Sequence, residues 1–397
     1  MTWTKNRENS SFEPAGTSLA RVSRVYRHAA AQALAIAPQE TKDPTTLSPP
    51  PLTAFSNVQL DLFQTVLANN DEQRDKLSHL IDLWDSVPRY SVSRAKMAEE
   101  RVDDEFLREH RIPFQHRQRG YTCVIYPARV KDIDGKQRDY YPSANEELVE
   151  DALRKMAVER DAGYFDRPNY SSGVQFTLYA LSQELSKRGK TRSDQEIILS
   201  LNILSQSVVD ILPDDESGNL KAPCLPSLAR VTRKMRADDP DARWAVEFHP
   251  LITGAIDQVT HRQFNYALMM SHKSQLTRWL HKRIVLLYTF ADYSNTFEMR
   301  YSTVKRDSGM LSNPERERKA VDRLEDAYDS LVKAGVISSF KRKNETGPRG
   351  KLLDVVFTIY PHVDFIREAK AANKRQRLAD EKLGRGTVGT SGGARLR

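Results

Sequence analysis

Two stretches of this 397-residue chain spell out one order of elements, and a chain that must fold the same order twice has few architectures open to it. In the later stretch Leu276, Trp279, Leu280, Ile284, Leu287 and Phe290 recur at helical spacing, which predicts a helix from about Ser274 to Ala291. The alternating Phe297 to Tyr301 follows, then a compact segment Ser302 to Asp307 and the turn Ser308-Gly309. A helix starts at Ser312-Asn313-Pro314-Glu315, where Ser312 or Asn313 can cap free N–H groups and proline is tolerated in the first turn. It runs to Lys333 and stops at Ala334-Gly335. Val336 to Lys343 and Leu352 to Tyr360 then alternate like strands around a loop from Asn344 to Gly350.

The earlier stretch, Ser143 to Ile256, runs the same way. A helix from Asn145 to about Val158 precedes the strand-like Val174 to Thr177 and a helix from Tyr179 to Lys187. The next helix opens with Ser193 and Glu196, a capping box, and Ile197, Leu201, Leu204, Val208 and Ile211 are its expected buried stripe. Leu225 to Lys234 and Arg243 to Ile252 are the candidate hairpin. Helix, short strand, helix, helix, hairpin is the order of a winged helix. The expected fold is α+β and mainly helical: two tandem winged-helix domains, residues 136–265 and 266–366, between a flexible N-terminal region and a basic C-terminal tail.

The flanks read differently. Residues 1–18 read as a disordered tail, 19–37 as a short basic helix, and 38–56 as a linker rich in Pro, Thr and Ser. Residues 57–135 form the N-terminal region proper. The tail, 367–397, carries nine Lys/Arg against three Asp/Glu, with a basic helix expected to end near Leu378. A net charge of +8 and a pI near 9.3 make a polyanion the expected partner. Two cysteines, Cys123 and Cys224, supply neither a disulfide framework nor a cysteine-built zinc site. The best apolar run, Ile284 to Ala291, is too short to span a bilayer, so a cytoplasmic protein without membrane contact is expected.

Duplex DNA is the polyanion that the second helix-hairpin pair suits. Val321, Leu324, Tyr328 and Leu331 give the helix after Ser312 an apolar face, whereas Ser312, Arg316, Lys319 and Arg323 fall on another at spacings of three and four. Arg316, Arg318 and Lys319 stand early in that helix, where a recognition helix places base-reading side chains. Lys341, Arg342, Lys343, Arg349 and Lys351 line the hairpin loop, where phosphates would lie. In the first stretch the basic turn Lys187 to Arg192 offers Arg188, Lys190 and Arg192. The acids Glu315, Glu317, Glu325, Asp326 and Asp329 are the counterweight, since they can pair these cations as an ordinary solvated helix surface.

Ahead of both units stands Gln59-Leu60-Asp61-Leu62-Phe63, just after Leu47-Ser48-Pro49-Pro50-Pro51. An exposed Leu-x-Leu-Phe offers apolar anchors to a partner's pocket, and the linker lets it lie extended. The alternative is the start of an amphipathic helix, because Leu60, Phe63 and Leu67 also fall at helical spacing.

The doubled order, the passage Phe297 to Ile337 and the stretch Leu83-Trp84-Asp85-Ser86-Val87-Pro88-Arg89-Tyr90-Ser91-Val92-Ser93-Arg94 together resemble plasmid replication initiators of the TrfA-like, iteron-binding Rep type, over roughly residues 140–365. The QLxLF pattern is similar to the motif by which bacterial replication proteins hold the β sliding clamp, and TrfA-like proteins carry such a motif ahead of their winged helices. The resemblance implies binding to direct repeats at an origin and opening of the neighbouring A·T-rich DNA. It implies recruitment of the host initiator and helicase, DnaA and DnaB, and a monomer–dimer equilibrium in which the earlier winged helix serves the dimer. It implies no cofactor.

Enzymatic readings each meet an absence. A rolling-circle nickase needs two histidines flanking one apolar residue, and His110 and His116 are too far apart, as are His261, His272 and His281. Gly189-Lys190-Thr191 imitates the end of a phosphate loop, but Glu184 stands where a glycine belongs and a helix precedes it. The runs Asp103-Asp104-Glu105 and Asp214-Asp215-Glu216 read as solvated acids rather than a magnesium site. A non-enzymatic initiator is therefore expected, with a winged-helix repressor as the nearest alternative.

Overall fold

The computed structural model describes residues 57–238, 242–311, 317–348 and 352–385. The expected tail, basic helix and linker of residues 1–56, and the end of the chain from 386, lie outside the described residues. The described chain opens with helices α1 (Val58–Gln64) and α2 (Asp71–Asp75) and strand β1 (Leu77–Ile81). Helix α3 (Arg94–Glu100) leads into β2 (His110–His116), β3 (Arg119–Tyr126), β4 (Ala128–Lys131) and β5 (Gln137–Tyr140). The first of the two similar units follows as α4 (Ala144–Ala157), β6 (Gly163–Asp166), β7 (Ser171–Phe176), α5 (Leu178–Lys187) and α6 (Asp194–Gln206). Strands β8 (Val208–Pro213) and β9 (Leu220–Pro223) are inserted before β10 (Leu228–Ala229), α7 (Arg233–Asp238) and β11 (Trp244–Glu247). A connector of α8 (Pro250–Gln258), β12 (His261–Asn265) and α9 (Tyr266–Ser271) reaches the second unit. That unit is α10 (Gln275–Leu287), β13 (Phe297–Arg300), α11 (Tyr301–Ser308), α12 (Glu317–Lys333), β14 (Ile337–Thr346) and β15 (Leu352–Pro361), and α13 (Val363–Lys382) closes the fold.

Local chemistry accounts for most element ends. Ser193 and Glu196 form the expected capping box at the start of α6, and Ser143 and Glu146 form a second at α4. Helix α11 ends on Gly309 at φ 65°, and α12 is followed by Gly335 at φ 71°, a left-handed conformation that glycine adopts without strain.

The two units share sheet order as well as element order. In the first the strands lie β10-β11-β7-β6, in the second β13-β15-β14. In each, the strand after the leading helix pairs antiparallel with the second strand of the hairpin, Phe176 opposite Trp244 and Phe297 opposite Ile359. The hairpin is therefore tied back onto its own helices.

Three expectations need correction. Helix α6 ends at Gln206, so Val208 and Ile211 belong to β8, where the β-branched run Val208-Val209-Asp210-Ile211 pairs with β3 and β9. The first hairpin is far shorter than expected, with only Leu228–Ala229 paired to β11, because residues 233–238 and 250–258 are helical. Residues 57–135 and the helix of the tail are also not appendages to the two units. β1 pairs along its length with β12, β2 and β3 share a sheet with β8 and β9, and α13 packs on β12.

One buried polar lattice joins these parts. Helix α4 turns Glu146, Glu147, Glu150, Asp151, Arg154 and Lys155 inward. From the 83–94 stretch, Trp84 Nε1 donates to Glu150 at 2.7 Å, Arg89 pairs with Glu150 at 3.0 Å, and Asp85 pairs with Arg154 at 2.8 Å. Arg94 reaches Glu146 at 2.7 Å. From α10, Lys282 pairs with Asp151 at 2.6 Å and Arg278 with Glu147 at 3.0 Å. The leading helices of the two units are thus held to each other by matched buried charge, which tolerates little mispairing because an unmatched buried ion is costly.

Candidate nucleic-acid interface

Helix α12 divides into a packed face and a charged one. Ala320, Val321, Leu324, Ala327, Tyr328 and Leu331 are buried, and the Tyr328 ring lies 4.8 Å from that of Phe357 and 5.3 Å from that of Phe340 on the hairpin. Arg318, Lys319 and Arg323 are exposed on the first two turns. None has an ion-pair or hydrogen-bond partner among the described residues, although Asp322, Asp326 and Asp329 share the helix. Glu317 pairs with Lys305 at 3.3 Å and Glu325 with Arg342 at 2.8 Å, so two of the helix's acids are turned to neighbours rather than to these cations. Three unpaired positive charges therefore cluster at the end of the helix where the backbone dipole is also positive. Ser312 and Arg316 lie outside the described residues.

Strand parity sorts the hairpin. Phe340, Arg342 and Asn344 face one way, and Arg342 there bonds Glu325 of α12 at 2.8 Å and Asn344 at 2.9 Å. Lys341 and Lys343 face the other way and are exposed, with the Lys341 Nζ 5.4 Å from the centre of the Tyr360 ring. Arg342, expected beside them, is thus turned to α12 instead, because adjacent strand residues point to opposite faces. Arg349 and Lys351 lie outside the described residues.

The first unit presents no equivalent helix surface. Helix α6 contains no Lys or Arg, carries Asp194 and Glu196 in its first turn, and packs against β4 and α4. The basic turn before it is engaged within the protein. Arg188 pairs with Glu184 at 2.8 Å and Asp75 at 2.9 Å, Lys190 Nζ donates to the His272 carbonyl at 2.8 Å, and Arg192 donates to Asn145 at 2.8 Å. Burial, followed by the neighbouring Arg278 charge, lowers the pKa of Lys190. These three side chains brace α2, α4 and the start of α10 and are not a free phosphate-binding row. The cations that do stand out are Arg230, Lys234 and Arg243, exposed on the connection between β10 and β11. Their position matches that of the β14–β15 loop, and the basic run Arg230 to Arg243 is visible in the sequence once that pairing is known.

The clamp-like pentapeptide takes the helical alternative. Residues 58–64 form α1, capped by Asn57, and Leu60, Leu62 and Phe63 are each no more than 6% exposed. The Phe63 ring lies 4.9 Å from that of His261, and Leu62 packs with Val259 and Ala379. Gln59 is half-buried and Asp61 exposed. An extended, exposed peptide is therefore not the form seen. The same leucines and phenylalanine that suit a partner's pocket fill the protein's own.

No family model matches the sequence, and no curated protein matches it. Among solved structures the chain is similar to domains 2 and 3 of RctB in two crystal structures, each at 10% identity and a TM-score of 0.41. These cover 64% and 67% of this chain and 91% and 95% of those chains. It is also similar to the Pi initiator protein in complex with iteron DNA, at 14% identity and a TM-score of 0.32, covering 73% of this chain and 99% of that chain. At these scores the overlaps are loose and fix neither fold nor function. No described helix is long and apolar enough to cross a membrane.

Proposed function

We propose that this protein is a plasmid replication initiator built on tandem winged helices, and that it binds directly repeated duplex DNA without catalysing a covalent step. The observation that carries the reading is the trio Arg318, Lys319 and Arg323, exposed and unpaired among the described residues at the start of a helix whose other face is packed. A helix so mounted can enter a major groove, where arginine pairs with both guanine acceptors. Lys341 and Lys343 then meet phosphate, and Arg230, Lys234 and Arg243 of the first unit extend the phosphate track. The acidic, covered α6 suits the first unit to holding the protein's own domains or a second copy rather than reading bases. Clamp docking through Gln59 to Phe63 and recruitment of the host initiator and helicase complete the reading by resemblance.

Footprinting the purified protein on DNA flanking its own gene tests this. Protection of direct repeats is the expected result. Arg323→Ala should cost about 1–3 kcal/mol on the repeat and relax preference at one position, whereas Lys343→Ala should weaken binding to all sequences and flatten the salt dependence by about one charge. Equal losses on specific and random DNA for both variants would refute this division. A plasmid that replicates without the protein while a nearby promoter is derepressed would establish a repressor instead.

A further inference from the structure

We propose that α1 is a detachable latch: it docks its Leu-x-Leu-Phe face into the protein's own core and must swing out to present that face to the clamp. The inference rests on the docking reading above for its partner, and on the local geometry for the motion.

The seat of α1 is unlike the rest of the core. Arg375 of α13 is 3% exposed and has no carboxylate within 4 Å among the described residues. It is neutralised by carbonyls alone, donating to Leu62, to Thr65 at 3.0 Å and to His261 at 3.2 Å, two of which belong to α1 and its C-cap. His79 and His261 stand beside Phe63 with ring centres 5.3 and 4.9 Å away. A buried cation with no counter-ion makes a weaker seat than an apolar contact of the same area, since its desolvation offsets part of the burial. Leu62 belongs to a small satellite cluster with Val259, Ala379 and Leu383, apart from the main core.

Release also has a hinge and a free side. Residues 65–70 form neither helix nor strand. Beyond the hinge the chain is pinned again at Leu67, whose N–H donates to the Gln263 side chain at 2.7 Å and whose carbonyl accepts from it at 3.1 Å. Motion of α1 therefore stops before β1. On its other flank Leu60, Asp61 and Gln64 already form one wall of a groove of about 900 Å³. An element with few partners, an open flank and a hinge belongs to the low-stability end of local opening.

The test compares full-length protein, a synthetic peptide of residues 57–66, and the double variant Leu62→Cys with Ala379→Cys, which ties α1 to α13; the native Cys123 and Cys224 are buried. The peptide should bind purified β clamp at least tenfold more tightly than the full chain. Oxidising the double variant should abolish clamp binding and reduction should restore it, with DNA-repeat binding the same in both states. Arg375→Met, which removes the clasp, should raise clamp binding about tenfold. Equal clamp binding by the oxidised and reduced forms, or by peptide and full chain, would overturn the latch while leaving docking intact. A peptide that does not bind the clamp would overturn the docking reading alone. Hydrogen exchange then decides the latch without the partner. Amides of residues 60–64 should exchange at least tenfold faster than those of α4 and slow on oxidation of the double variant, and equal protection would overturn it.

Discussion

Glu150 shows how much a single side chain organises here. Its carboxylate accepts from Trp84 at 2.7 Å, pairs with Arg89 at 3.0 Å and is bonded by Tyr90. Burial pushes its pKa up, yet the Arg89 and Arg154 guanidiniums outweigh burial and hold it below the ordinary value. Asp85 behaves in the same way beside Arg154 and is lowered to about 2. Both acids stay ionised in the interior, and each anchors a different part of the 83–94 stretch to α4. Glu150→Ala leaves Arg89 buried with no full counter-charge, so it should lower unfolding free energy by about 3–5 kcal/mol, read from the urea midpoint. A change below about 1 kcal/mol would show that water reaches this site and replaces the pair.

At the scale of elements, α13 departs furthest from its expected place. Its composition reads as a basic tail, but Phe365, Ile366, Ala369, Ala372 and Ala379 are buried, and Arg262 of β12 bonds Asn373 at 2.8 Å. Arg375 carries the seat of α1 on the same helix. Ending the chain after Pro361 should therefore strip one face of β12 and destabilise the whole fold. Burial of Phe365 and Ile366 alone is worth about 1.5–3 kcal/mol each. A truncated protein with an unchanged denaturation midpoint would mean that α13 is peripheral. The hairpin β14–β15 shows the opposite behaviour, since its alternating strands lie where the pattern puts them and only the destination of Arg342 required the neighbouring helix.

Across the whole molecule, pH should act through buried histidines. Burial, with Arg375 next in weight, holds His79 and His261 well below the usual imidazole range, and burial with Arg89 does the same for His249. Burial and the Arg278 charge lower His272 to about 4, and burial and His272 lower His281 to about 3. In the unfolded chain these rings titrate near 6.5, so below that pH the unfolded state binds protons that the folded state does not. Stability is full above pH 6.5 and falls as pH drops toward 4, each such histidine contributing a loss of about 1.4 kcal/mol at one unit below 6.5. Calorimetry at pH 7.5, 6.5 and 5.5 should give a Tm that falls steeply only over the last step. A flat profile would place these rings in contact with solvent.

Much was legible in the residues themselves because it is local. The doubled order of helix, strand, helix, helix and hairpin, the amphipathic face of α12 around Leu324 and Tyr328, and the capping box at Ser193 and Glu196 all rest on spacings within one turn or one strand. Pairing and burial are not local. Nothing near Leu77 states that its strand will lie against Asn265, and nothing near Glu150 names Arg89 as its partner 61 residues away. Arg188, Lys190 and Arg192 have the same composition whether they meet phosphate or brace a helix, and Leu60, Leu62 and Phe63 look alike whether they face a partner's pocket or the protein's own. Sequence by itself determined the elements and the charge of α12. Only the tertiary structure decided which charges are spent inside the fold and which remain outside, because that depends on desolvation and on contacts between residues far apart in the chain.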